Sequence, residues 1–190
     1  MTSSPSAIKL PVIEATSSTF KDYGQIISPS PDGTDFGPQD AQLDLTKGIP
    51  RFYIMHLQDR PFEFSTITHH ANVTQCLGAI GGGVWYLGVA KRSIVNHVEM
   101  ELESVIWEKK VVQSKCGHQY VAPVVEDVCV FRFTGAVFVK LDVGTWHVGP
   151  LFKEESMDFY NLELSDTNPV FVPKGEMRSN IFTFGDGEMF

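Results

Sequence analysis

Gly81-Gly82-Gly83-Val84-Trp85-Tyr86-Leu87-Gly88-Val89-Ala90 decides the fold class of this chain. Three successive glycines supply the backbone freedom of a tight turn, and Val84 to Ala90 is a β-branched and aromatic run of strand length. The run falls far short of the roughly 20 apolar residues that span a bilayer as a helix. Comparable runs recur at Arg51 to Leu57, Phe62 to Thr68, Val73 to Ile80, Val128 to Phe133 and Val137 to Leu141, bounded by Gly, Pro or Asp. Short strands at this spacing predict an all-β sandwich or barrel. The 14 Phe, 16 Gly and 11 Pro weigh the composition the same way. The best helical signal is Ser17 to Gly24: Ser17 can cap, Phe20 and Tyr23 share a face, and Gly24 can close the helix. It predicts one or two helical turns.

A length of 190 residues suits a single domain. Residues 1–7 read as a short flexible leader without the basic and apolar regions of a signal peptide, and 173–190 as a C-terminal extension. With 15 basic and 23 acidic side chains the net charge is −8. That balance argues against nucleic acid, whose binders present a basic face. Cys76, Cys116 and Cys129 are odd in number and form no CxxC pair, which argues against a disulfide framework and for packing cysteines in a reducing, cytoplasmic compartment.

Two irregular zones interrupt the strand pattern. Ser28 to Pro38 is dense in turn formers and reads as a loop, either lining a site mouth or mobile. Between Lys91 and Ala122, Glu99, Glu101 and Glu103 alternate with Val98, Met100 and Leu102, which predicts an edge strand with an acidic solvent face.

Three sets of residues offer chemistry. Thr68-His69-His70-Ala71-Asn72-Val73-Thr74-Gln75 places His70 on the strand face of Thr68, with Gln75 able to lean toward it beyond Asn72. Gly144-Thr145-Trp146-His147 sets an aromatic beside a histidine just after a strand. Tyr23, Arg60, Lys140 and Asp142 add polar or charged groups near strand ends. Each has a plain structural alternative: surface histidines, a core tryptophan, a solvated lysine. The glycine run does not make G-x-G-x-x-G and no Gly-Lys-Ser/Thr follows, so phosphate-loop chemistry lacks support. G-x-S-x-G and HExxH are also absent.

The spacing Thr68-x-His70, four residues, Gln75, six residues, Gly82, followed by Asp142-x-Gly144-x-x-His147, resembles the two motifs of cupin barrels. More closely, Tyr23-Gly24-Gln25-Ile26-Ile27, then His69-His70 with Gln75, then Trp146-His147-Val148-Gly149-Pro150-Leu151 is similar in order and spacing to the ureidoglycolate lyase (ureidoglycolate hydrolase) family, from about residue 8 to 165. The chain departs from that pattern where His69 stands for the family's arginine and Val148 for its second histidine. Residues 92–119 and the tail from Pro173 look like additions, as in a diverged, plant-like eukaryotic branch.

The resemblance implies a cupin-like double-stranded β-helix, or jelly-roll barrel, with one or two short helices. It implies a C–N lyase that converts ureidoglycolate to glyoxylate and urea in purine and allantoin breakdown. Histidine acid/base chemistry would carry the reaction: His147 as base, His70 as acid or orienter, Gln75 as hydrogen-bond donor. Trp146, Arg60, Lys140 and Tyr23 would bind a carboxylate substrate. No cofactor is required; a divalent metal, if held, would take His70, Gln75 and His147, a set poor in anionic ligands. A homodimer is implied, with neither nucleic acid nor membrane as partner. The alternative is a barrel that has lost catalysis and binds a small organic anion or serves as an interaction module; an unrelated β-barrel would keep His70 and His147 apart.

Overall fold

The computed structural model describes residues 6–95, 111–165, 170–171 and 180–185. The chain is all-β there, apart from one 3-10 turn at Val125–Asp127. Ser17 to Gly24 forms turns rather than a helix: the amides of Phe20 and Gly24 donate to the carbonyls of Thr16 and Phe20, and the strand Gly24–Ile27 follows at once. So short a helix cannot repay its nucleation, and the segment is instead set by Phe20, which is fully buried. The acidic edge strand expected around Val98 to Leu102 lies outside the described residues.

Two large sheets organise the fold. One runs in the order Val170–Phe171, Thr68–His69, Trp146–His147, Trp85–Ala90, Cys129–Phe133, Val12–Glu14. The other runs Gly24–Ile27, Phe138–Leu141, Cys76–Ala79, Ser156–Leu164, Pro50–Gln58. All these pairings are antiparallel except that of Val12–Glu14 with Cys129–Phe133. The sheets face each other over a core that takes Trp85, Leu87, Val89, Phe131 and Phe133 from the first and Leu77, Val139, Leu141 and Phe159 from the second. Trp85 stacks on Phe133 at 4.3 Å and meets Phe159 edge-on at 5.3 Å, which joins the two layers.

Trp85–Ala90 is buried on both faces. Trp85, Leu87 and Val89 enter the inner core, while Tyr86 and Ala90 join a second cluster with Val130, Trp146, Tyr120, Phe64 and Phe182. Two small sheets cover that outer face: Ser6–Lys9, Asn180–Thr183, Glu63–Phe64, and Val111–Gln113, Gln119–Val121, Ile94–Val95. A strand covered on both sides carries no polar alternation, which is why its sequence reads as one apolar run. Gly88 admits the close approach of Phe64; a Cβ there would lie 2.5 Å from the phenyl Cζ.

The glycine turn forms, with φ of 85° at Gly81 and 75° at Gly82. It passes the chain from one main sheet to the other instead of closing a hairpin, since Cys76–Ala79 and Trp85–Ala90 lie in different sheets. The run Phe62 to Thr68 divides into Glu63–Phe64 and Thr68–His69, also in different sheets. Ser6–Lys9, which begins at the end of the stretch read as a leader, pairs in parallel with Asn180–Thr183 of the stretch read as an extension, and Phe182 stacks on Phe64 at 5.2 Å and Phe184 on Phe62 at 4.7 Å. No helix of the described residues is long and apolar enough to cross a membrane.

Candidate functional site

At one end of the sandwich the strand Trp146–His147 pairs with Thr68–His69 on one side and Trp85–Ala90 on the other. His147 stands opposite Val89, on the inner face, and Trp146 opposite Ala90, on the outer. The turn before this strand places Gly144 at φ 85°, with its amide donating to the His70 carbonyl at 2.9 Å. Thr145 Oγ1 donates to the Tyr23 carbonyl at 2.8 Å. The loops carrying the two histidines are therefore pinned together by backbone, and their imidazole centroids lie 5.1 Å apart.

His147 is buried, and its Nδ1 lies 3.1 Å from the Thr145 carbonyl oxygen. A carbonyl only accepts, so Nδ1 carries the hydrogen and Nε2 keeps its lone pair. Burial, reinforced by the neighbouring His70, pushes the His147 pKa down to about 3, against a smaller upward pull from the Thr145 bond. The ring is thus neutral at physiological pH, the form required of a base.

Gln75 is buried beside them. Its Nε2 donates to Asn161 Oδ1 at 2.9 Å, while Asn161 Nδ2 donates to Glu163 Oε2 at 3.2 Å and to the Tyr53 hydroxyl at 3.1 Å. The Glu163 carboxylate can only accept, which fixes the orientation of Asn161 and, through it, of Gln75. Arg51 anchors the chain by its ion pair to Glu163 at 3.0 Å and lies 3.8 Å over the Tyr53 ring. One amide N–H of Gln75, the group expected as a donor, is thereby committed; its buried Oε1 has no donor among the described residues and is the acceptor the residue offers. Asn161, Tyr53 and Glu163 were not legible as site residues. The signal for Asn161 and Glu163 was the period-two pattern of Ser156–Leu164, in which Phe159 and Asn161 share the inner face.

The other expected site residues are distributed differently. Lys140 is bound to Asp142, Nζ to Oδ1 at 2.9 Å; Asp142 borders the His70–His147 void, so lysine reaches it only through a neutralising carboxylate. Tyr23 contributes its carbonyl, while its hydroxyl accepts from Cys129 Sγ at 3.3 Å and burial raises the phenol pKa. Trp146 faces away from His147 and packs on His69, ring centroids 4.1 Å apart, with Nε1 donating to Ser93 Oγ at 2.9 Å. Arg60 lines a separate groove with Pro61 and Phe152. Outer-face packing and a loop at the other strand end account for both displacements. The void bounded by His70, Gln75 and His147 is too small for a water molecule, and His70, half-buried, is its more open side.

His69 turns outward, fully buried, its Nε2 2.8 Å from His118 Nε2. Burial, then His118, lowers its pKa to about 3. Among the described residues no three His, Cys, Asp or Glu side chains converge as metal ligands. His70, His147 and Gln75 supply two imidazoles and a neutral amide, and the nearby Asp142 is engaged by Lys140, so the donor set does not fit a divalent ion well. No disulfide joins the cysteines among the described residues; Cys76 and Cys129 are partly buried and Cys116 is exposed. No family model matches the chain, and none of the curated proteins matches it significantly.

Proposed function

We propose that the chain is a cupin-like double-stranded β-helix with a histidine acid/base site for a small hydroxycarboxylate, acting as a ureidoglycolate lyase. The observation that carries this reading is the meeting of His70 and His147 at 5.1 Å, with His147 Nδ1 held by the Thr145 carbonyl. His147 Nε2 takes the proton of the carbinol hydroxyl while the adjacent C–N bond breaks. The O–H electron pair becomes the carbonyl of glyoxylate, and His70 delivers a proton to the departing urea nitrogen, so protons and electrons balance. Gln75 Oε1 accepts a hydrogen bond from the hydroxyl or the ureido N–H. Burial keeps His147 in its base form, and the substrate's negative charge raises its basicity on binding.

A second reading, a non-catalytic barrel that binds a small organic anion or a partner, is favoured by the closed void and by the commitment of Lys140 to Asp142. Incubation of wild type and His147→Ala with ureidoglycolate separates the two. The lyase reading expects glyoxylate and urea from wild type and a loss of about 100-fold or more in the variant. Folded wild type that releases neither product leaves the binding reading. Three cysteines with no disulfide among the described residues support a reducing, cytoplasmic setting. Exposed Phe52 and Ile54 on the edge strand Pro50–Gln58 support a homodimer.

A further inference from the structure

We infer a second ligand site, for a small organic anion, in a cleft of about 620 Å³ distinct from the His70–His147 void. It lies between the turn Cys116 to His118, the residues leading into Ile94–Val95, and the loops holding Lys47 and Asn72. The volume is that of a small-molecule site.

The charge of its lining sets the ligand class. In a chain with 23 acidic and 15 basic side chains, the lining holds Lys47, Arg92 and His118 and, among the described residues, no carboxylate. Neither Lys47 nor Arg92 makes an ion pair among the described residues. The carboxylate that Lys47 does feel, Asp44, is engaged by the Thr46 amide at 3.1 Å and hydroxyl at 2.7 Å. Two cations that make no ion pair among the described residues, set on one concave wall, are complementary to carboxylate or phosphoryl oxygens, for which the guanidinium fork is suited.

The wall is also fixed in advance. His118 is held by the buried His69 at 2.8 Å, and its carbonyl accepts the Ser114 amide at 2.8 Å. Ser93 bonds the Val121 carbonyl across the small sheet and accepts from Trp146 at 2.9 Å. The hairpin made by Val111–Gln113 and Gln119–Val121 is thereby clamped to the main sheet, and binding need not order it. Arg92 and His118 belong to the stretch that departs from the lyase pattern, and the inference stands whether or not the lyase reading does.

Calorimetric titration of the full chain with sodium succinate and, separately, inorganic phosphate at constant ionic strength tests it. Saturable millimolar or tighter binding of at least one probe is expected, weakened about tenfold by Lys47→Ala and by Arg92→Ala and unchanged by Arg60→Ala. Succinate binding identifies a carboxylate ligand and phosphate binding a phosphoryl one. Both substituted side chains are exposed, and matching thermal unfolding will show that the fold is kept. Failure of both probes to saturate, or binding that survives both cleft substitutions, overturns the site. Glyoxylate and urea release reads the lyase proposal independently.

Discussion

The side-chain amide of Gln75 donates to Asn161 Oδ1 across 2.9 Å, and this one bond decides that Gln75 presents an acceptor to the histidines. Gln75 immediately precedes Cys76–Ala79, Asn161 lies within the neighbouring strand Ser156–Leu164, and Glu163 sets the direction of the bond.

Asn161→Leu removes the acceptor and leaves the Gln75 N–H groups buried without a partner, at a cost of about 1–3 kcal/mol. Gln75→Leu combined with Asn161→Leu should cost clearly less than the sum of the single changes. Urea unfolding of the four proteins measures this; strict additivity would refute the coupling.

Protonation of the buried histidines should weaken the fold in acid. Unfolded imidazoles titrate near pH 6.5, whereas burial holds His147 and His69 down to about 3. The folded state binds fewer protons, so stability is full above about pH 6.5 and falls below it, by up to about 1.4 kcal/mol per pH unit for each histidine, levelling off near pH 3. Unfolding midpoints at neutral and mildly acid pH should show a shallower dependence in His147→Gln than in wild type. An identical pH dependence of the two would contradict the assignment.

Gly144 should resist substitution. Its φ is 85°, and an added Cβ would sit 2.6 Å from Ile94 Cδ1. Gly144→Ala is expected to cost about 1–3 kcal/mol and, by shifting the turn that carries His147, to lower activity more than binding of a product analogue. A variant as stable as wild type would show that this turn is not constrained.

Ile54 should report on self-association. It is 59% exposed beside Phe52, which stacks on Tyr160 at 5.8 Å. Ile54→Glu places a charge in the proposed dimer contact and should shift sedimentation from dimer to monomer without changing thermal stability of the monomer. A wild type that sediments as a monomer at high concentration removes the dimer proposal.

The strands most legible in the sequence were those with the longest apolar or alternating runs: Pro50–Gln58, Trp85–Ala90, Cys129–Phe133 and Phe138–Leu141. Ser156–Leu164 is not legible as a strand because Asp158, Asn161 and Glu163 dilute its pattern, although it pairs along its whole length with Pro50–Gln58. Of the site, the spacing of His70, Gln75 and His147 was readable, but not the outward turn of Trp146 or the removal of Arg60 to another groove.

Local chemistry determined the all-β class, the tight turn at Gly81 and Gly82, and the alternation that puts Trp146 and His147 on opposite faces of one strand. Those are properties of backbone sterics and side-chain period, carried by neighbouring residues. Which histidines meet was decided only by tertiary structure. His70 reaches His147 while His69 reaches His118 because sheet order and register bring distant segments together, and the hairpin that supplies His118 packs on the outer layer. The orientation of Gln75 likewise depends on a carboxylate in another strand, since a hydrogen-bond direction is fixed by the groups at the end of its chain.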